Sequence, residues 1–128
     1  MVKFLHCTHC GKVLEFLGGC ESGCKTICCG EPMEELTANS KEAATEKHIP
    51  VVEINGNTLK VSVGSILHPM TEAHLINFVV LETDKEVRRI DLKANDTPVV
   101  TYDITNEKPL RVYAYCNLHG LWVKELWF

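Results

Sequence analysis

The sequence predicts a mainly β chain built in two parts, a small metal-stapled N-terminal domain followed by an antiparallel β-sandwich. Three observations carry this reading. Six of the seven cysteines fall between Cys7 and Cys29. Beyond residue 50, short segments of alternating or β-branched apolar residues recur, each bounded by turn-forming residues. Between these regions lies a polar, alanine-bearing stretch, residues 37 to 47, that matches neither pattern.

Residues 1–36 hold six cysteines, five of the eight glycines and few large apolar side chains. A piece this small cannot bury enough apolar surface to fold alone, so a bound metal is the expected staple. Within it, Lys12 to Leu17 reads as a short strand with Gly18-Gly19 as the turn after it. Residues 37–47 read as a linker with a short helical turn. Asn39 and Glu42 have the spacing of a capping box, and Ala43-Ala44 favour helix. That turn should stop before His48-Ile49-Pro50, because the residue ahead of a proline disfavours the helical region. From 48 to 128 the pattern is β. Val51 to Ile54 leads into Asn55-Gly56-Asn57, a hairpin signal, after which Leu59, Val61 and Val63 alternate with Lys60 and Ser62. Leu75 to Glu82, Val87 to Leu92, Val99 to Ile104, Leu110 to Tyr115 and Leu121 to Trp127 complete a set of strands at sandwich spacing. The Cys…Trp…Cys spacing of antibody domains is absent, so an immunoglobulin-like label describes architecture alone.

Composition narrows the function classes. The chain has 128 residues, 45% hydrophobic and 23% charged, with a formal net charge of −4. That balance belongs to a globular protein and argues against a nucleic-acid binder. No apolar run is long enough to span a bilayer, and a cysteine interrupts the N-terminus before a signal peptide could form. The expectation is a cytoplasmic protein with no membrane partner. An odd cysteine count in a reducing compartment points to metal ligation rather than disulfides.

Cys7-Thr8-His9-Cys10-Gly11 is a CxxC knuckle, two thiolates able to face one ion with a glycine to turn the backbone beneath them. The second pair is Cys28-Cys29, followed by Gly30. These four suit a tetrahedral iron or zinc. Spacing alone leaves the set Cys7, Cys10, Cys24, Cys28 open, and leaves a structural zinc ribbon open too. His6 and His9 read as surface residues. In the second part, His48, His68, His74 and the pair Cys116…His119 all fall at strand ends or in loops, where functional side chains sit on a rigid scaffold. Four imidazoles and one thiolate are one ligand too many for a closed tetrahedral zinc site. Around iron they leave a sixth position for a small molecule.

Five motifs in order, Cys-Thr-His-Cys-Gly at 7–11, Cys-Cys-Gly-Glu-Pro-Met at 28–33, Glu-Lys-His-Ile-Pro-Val at 46–51, His-Pro-Met at 68–70 with His74, and Cys-Asn-Leu-His-Gly at 116–120, resemble the desulfoferrodoxins over nearly the whole chain. The resemblance implies a desulforedoxin-like domain with an Fe(Cys)4 centre on Cys7, Cys10, Cys28 and Cys29, then an immunoglobulin-like sandwich. It implies a catalytic iron held by His48, His68, His74, His119 and an axial Cys116, hence two iron ions per chain. The implied activity is one-electron reduction of superoxide to hydrogen peroxide, with a rubredoxin-like electron donor and a homodimer. Cys20 and Cys24 depart from the family pattern.

Lys47 and Glu46 flank His48. A lysine ~6 Å from a bound anion, at an effective dielectric of ~20, contributes roughly 3 kcal/mol before screening. Lys47 is therefore expected to attract the substrate, and Glu46 is implied by the resemblance as a ligand of the resting oxidised site. The rival readings are a non-catalytic electron carrier, a structural double-zinc module and a dismutase.

Overall fold

The computed structural model describes residues 1–19, 23–41 and 43–127. The chain divides into two compact units, Met1–Thr37 and Ala38–Phe128.

In the first unit, β1 (Lys3–His6) pairs antiparallel with β2 (Val13–Phe16), from Lys3↔Phe16 to His6↔Val13. A two-residue hairpin joins β3 (Ile27–Cys28) to β4 (Glu31–Pro32), and β5 (Glu34–Glu35) adds to the other edge of β1. Phe4 and Cys7 are the buried side chains among the described residues of this unit. So small a core leaves most of the cohesion to the cysteine cluster.

Among its described residues the second unit is a sandwich of seven strands. One sheet has the order β10-β7-β6 and the other β12-β11-β8-β9. The strands are β6 (Pro50–Asn55), β7 (Thr58–Val63), β8 (Ile76–Thr83), β9 (Val87–Asp91), β10 (Val99–Asp103), β11 (Pro109–Cys116) and β12 (Gly120–Glu125). Period-two patterning makes the inner faces. Leu59, Val61 and Val63 of β7 are fully buried and meet Val79, Leu81, Val112 and Ala114 of the opposite sheet in one core. Tyr102 of β10 crosses between the sheets, its hydroxyl donating to the Val79 carbonyl at 3.0 Å.

The linker differs from expectation. The helical turn, α1, spans Thr45–His48, so it starts later than a cap at Asn39 would place it and runs through His48. Asn39 does different work. Its backbone N–H donates to the Leu121 carbonyl at 2.9 Å, and its side-chain amide exchanges bonds with the Val123 carbonyl and N–H at 3.3 and 2.9 Å. An amide carries donor and acceptor side by side, the pairing that a strand edge presents, so β12 outcompetes a helix N-terminus for it. Glu42 of the expected capping box lies outside the described residues.

Antiparallel pairing sets the functional end. Pro50 opens β6 opposite Val63, which closes β7, and Ile76 opens β8 opposite Cys116, which closes β11. The approach to β6, the 64–75 crossover and the 117–119 hairpin loop therefore emerge at one end of the sandwich. Gly64 locks two of these segments together. It has φ +85°, and a Cβ there would lie 2.6 Å from the Glu46 carbonyl oxygen and 2.7 Å from the Lys47 carbonyl carbon, and would also meet the Ile66 carbonyl. Gly64→Ala should therefore destabilise the protein by about 3 kcal/mol. Chemical denaturation of the purified variant measures this, and a midpoint equal to that of the parent would contradict it.

Candidate metal centres

Two tight turns present the N-terminal sulfurs. In the first, the Cys7 N–H donates to the Lys12 carbonyl and the Gly11 N–H to the Cys7 carbonyl, both at 2.9 Å, with Gly11 at φ 80°. In the second, Cys29 and Gly30 both have positive φ, 52° and 80°, the signature of a two-residue turn that matches strand twist. The sulfurs of Cys7, Cys10, Cys28 and Cys29 all lie within 4.8 Å of one another, and those of Cys10 and Cys28 are 3.7 Å apart. A tetrahedron of thiolates at ~2.3 Å from one ion has an edge of about 3.8 Å, so the spacing fits a single metal. Without a cation these sulfurs cannot all ionise. The Cys10 N–H aimed at its sulfur draws Cys7 down to about 6, and hydrogen bonding to the Cys7 and Cys10 sulfurs pushes Cys28 up to about 12. A metal ion removes that competition, because each thiolate then faces positive charge. Cys24 stands outside this group and lines a groove with Lys3, Phe16 and Lys25. Cys20 lies outside the described residues.

At the functional end of the sandwich, four imidazoles form a closed circuit. His48 meets His68 at 4.6 Å between ring centroids, His68 meets His74 at 4.6 Å, His74 meets His119 at 5.1 Å, and His119 meets His48 at 5.0 Å, each pair edge to face. The donor atoms of His48, His68, His74 and Cys116 lie within 4.8 Å of one another. His119 stands at the margin of that group, its Nδ1 3.9 Å from the Cys116 sulfur. A register shift between Tyr115 and Cys116 breaks the regular pairing of β11 with β8, and such a bulge re-aims the side chain at its end.

Tautomers follow from the hydrogen bonds. His48 Nδ1 is 2.7 Å from the Ala44 carbonyl, and His68 Nδ1 is 2.7 Å from the Pro69 carbonyl. A carbonyl can only accept, so both Nδ1 atoms carry the proton and both Nε2 atoms carry a lone pair. Those two Nε2 atoms face each other at 3.1 Å. Two lone pairs at that distance repel unless a cation lies among them. The buried Nε2 of His74 has no hydrogen-bond partner among the described residues. Burial pushes His48 and His74 below the usual imidazole value and His68 down to about 4, so all three rings are neutral at pH 7, the state in which an imidazole can hold a metal. Burial pushes the Cys116 thiol up, opposed by the N–H groups of His119 and Leu118. The donor set of imidazoles and a thiolate fits iron.

Lys47 and Glu46 lie exposed on α1. The Lys47 charge bears on both His48 and His74, and the Glu46 charge bears on His48 in the opposite sense. The Glu46 carbonyl accepts from Ser65 Oγ at 3.2 Å and from the Ile66 N–H at 3.0 Å, which fixes this rim to the 64–66 turn.

Two supporting residues escaped the sequence reading. Asn117 clamps the segment that carries His74: its Oδ1 accepts from the Leu75 N–H at 3.0 Å, and its Nδ2 donates to the Ala73 carbonyl at 2.9 Å. Its position inside the CxxH motif was the one available signal. Trp122 lies against His48 and bonds the His119 carbonyl. Nothing local distinguishes it from any other core aromatic.

A β-sandwich with a thiolate–imidazole site, joined to a four-thiolate knuckle unit, defines a two-centre metalloprotein. The Desulfoferrodoxin family model matches residues 40–125. Desulfoferrodoxin of Syntrophotalea carbinolica is 40% identical over 119 residues, 93% of this chain and 92% of that protein. Desulfoferrodoxin of Nitratidesulfovibrio vulgaris has the same identity and coverage. The crystal structure of the superoxide reductase from Treponema pallidum superposes with a TM-score of 0.80 at 33% identity, covering 98% of this chain and 99% of that one. This chain belongs to the desulfoferrodoxin family, and its two donor sets fit two iron centres.

Two outcomes follow. His68 titrates near 6.5 when unfolded and near 4 in the metal-free fold, so the unfolded chain binds the extra proton between those values. Metal-free protein should lose on the order of 3 kcal/mol as pH falls from 7 to 4 and little from this group below that, measured by denaturant unfolding at each pH. Asn117→Ala should cost about 1–3 kcal/mol and accelerate hydrogen exchange at the Leu75 amide, while exchange at the core of β7 follows global stability alone.

Proposed function

We propose that this chain is a superoxide reductase, with its catalytic iron held by His48, His68, His74, His119 and Cys116 and a second iron held by Cys7, Cys10, Cys28 and Cys29. One observation carries the reading: two imidazole lone pairs facing each other at 3.1 Å inside a ring of four imidazoles beside a buried thiol. Iron held by those five residues would supply a single electron to a small oxygen anion. Superoxide gains that electron and two protons and leaves as hydrogen peroxide.

The chain's own groups have separable tasks. The His119 N–H reaches the Cys116 sulfur at 3.4 Å and draws charge from it, which moderates how strongly the thiolate donates. The Nδ1 bonds of His48 and His68 hold two rings in the ligating tautomer. Lys47 provides a cation at the rim, where its charge already reaches two of the imidazoles. It raises the local concentration of an anionic substrate despite the net charge of −4. Glu46, on the same turn, is the carboxylate assigned to close the site at rest. The four-cysteine centre serves electron transfer or stapling of the first unit, and a rubredoxin-like donor refills the chain with electrons. Family resemblance supports a homodimer. The sulfurs of Cys7, Cys10, Cys28, Cys29 and Cys116 stand in metal-type donor groups and form no disulfide, which suits a cytoplasmic location. No helix among the described residues is long and apolar enough to cross a membrane.

Pulse radiolysis tests the central claim. Lys47→Ala should slow the bimolecular reaction with superoxide about 10-fold at low salt and flatten its dependence on ionic strength, with the iron absorption retained. An unchanged rate removes Lys47 from the mechanism. Cys116→Ser should abolish the sulfur-to-iron charge-transfer band of the imidazole-bound iron while the bands of the four-cysteine centre persist. Survival of the full parental spectrum would assign another sulfur to this iron.

A further inference from the structure

The imidazole circuit leans on a side chain outside the ligand set. Trp122 of β12 is 1% exposed. Its indole lies 4.8 Å from the His48 ring between centroids, with the planes 26° apart, an offset stack. Its Nε1–H donates to the His119 carbonyl at 3.1 Å. The two contacts reach two separate segments, α1 and the loop that joins β11 to β12.

We propose that Trp122 is a positioning residue for the imidazole–thiolate site, setting the plane of His48 through its face and the backbone of His119 through its N–H. The inference rests on reading this end of the sandwich as a metal site. His48 is pinned at Nδ1 by the Ala44 carbonyl at 2.7 Å, a single point about which the ring can still pivot. A flat indole on its face stops the pivot and keeps Nε2 aimed into the circuit. At His119 both backbone polar groups are engaged, the carbonyl by Trp122 and the N–H by the Cys116 sulfur at 3.4 Å. With the carbonyl anchored, the residue cannot turn without giving up one of the two bonds. The indole N–H thereby governs the N–H···S bond, which draws electron density from the sulfur and sets the energy of its charge transfer to a metal. Register makes room for this arrangement. Across the ladder from Trp122 stands Ala114, fully buried, whose methyl group leaves the width that an indole needs.

The test uses the full chain, stripped of metal and reloaded with cobalt(II), as parent, Trp122→Phe and Trp122→Leu. Three quantities are read: the sulfur-to-cobalt band of the imidazole–thiolate site, taken as the difference from a cobalt-loaded Cys116→Ser protein that keeps only the bands of the four-cysteine centre, the rate at which that band is lost to excess chelator, and the unfolding midpoint of each metal-free protein. Trp122→Phe keeps a ring face and loses the donor, so the band should shift while cobalt loss quickens only a few-fold. Trp122→Leu loses both contacts, and cobalt loss should quicken about 10–100-fold. A band at the parental energy in Trp122→Phe, with lowered midpoints in both variants, would make Trp122 an ordinary core residue and overturn the proposal. Should Trp122→Leu fail to fold, the band of Trp122→Phe decides alone. A parent that gives no sulfur-to-cobalt band in this unit, under conditions where its fold is intact, overturns the reading of the metal site itself.

Discussion

The lone pairs of His48 and His68 are held 3.1 Å apart, with the Cys116 sulfur and the unpartnered His74 nitrogen close by. Such a group of acceptors repels itself, and burial removes protonation as an escape by pushing the imidazoles below their usual range. A cation is the remaining remedy. Much of the sandwich can be understood as apparatus for sustaining this arrangement until the ion arrives. The core of Leu59, Val61, Val63, Val79, Leu81, Val112 and Ala114 fixes the sheets, and the sheets fix the loop ends. Asn117 ties the His74 segment to the Cys116 hairpin, and Gly64 seats the rim that carries Glu46 and Lys47. Binding strength is thus prepared by folding, which spends hydrophobic burial on keeping like groups together.

The N-terminal unit reaches a similar end by another route. With Phe4 and Cys7 as its buried side chains among the described residues, it has little core with which to hold four sulfurs in place. Backbone geometry substitutes for packing. Hydrogen-bonded turns at Gly11 and at Cys29-Gly30 aim the sulfurs, and the metal completes the structure. In the sandwich the fold stabilises the site, whereas in the knuckle unit the site stabilises the fold.

Charge is distributed to match an anionic substrate. The chain as a whole is acidic, yet under the proposed ligand set a thiolate and neutral imidazoles around a divalent iron would leave a net positive centre, to which exposed Lys47 would add. Local field at a low-dielectric mouth outweighs a distributed net charge screened by solvent. Neutral imidazoles are essential to this balance, and burial secures that state at His48, His68 and His74.

Much of the architecture was legible without coordinates because its signals are local. Alternation along Leu59, Val61 and Val63, the Asn55-Gly56-Asn57 turn and the crowding of cysteines before residue 30 follow from pleat geometry, turn stereochemistry and the needs of a soft metal, all readable from neighbours in the chain. The candidate donors could be named in the same way. Their convergence could not, since it depends on strand pairings that bring His48 beside donors up to 71 positions away, on a bulge at Tyr115/Cys116, and on antiparallel order placing three loops at one end. The same holds for Asn39, drawn to a strand edge rather than a helix cap, and for Trp122 and Asn117, whose roles lie entirely in what they touch. Residue type and spacing determine what each segment can do. Which segments meet is decided by the global packing of the core, which no local pattern encodes.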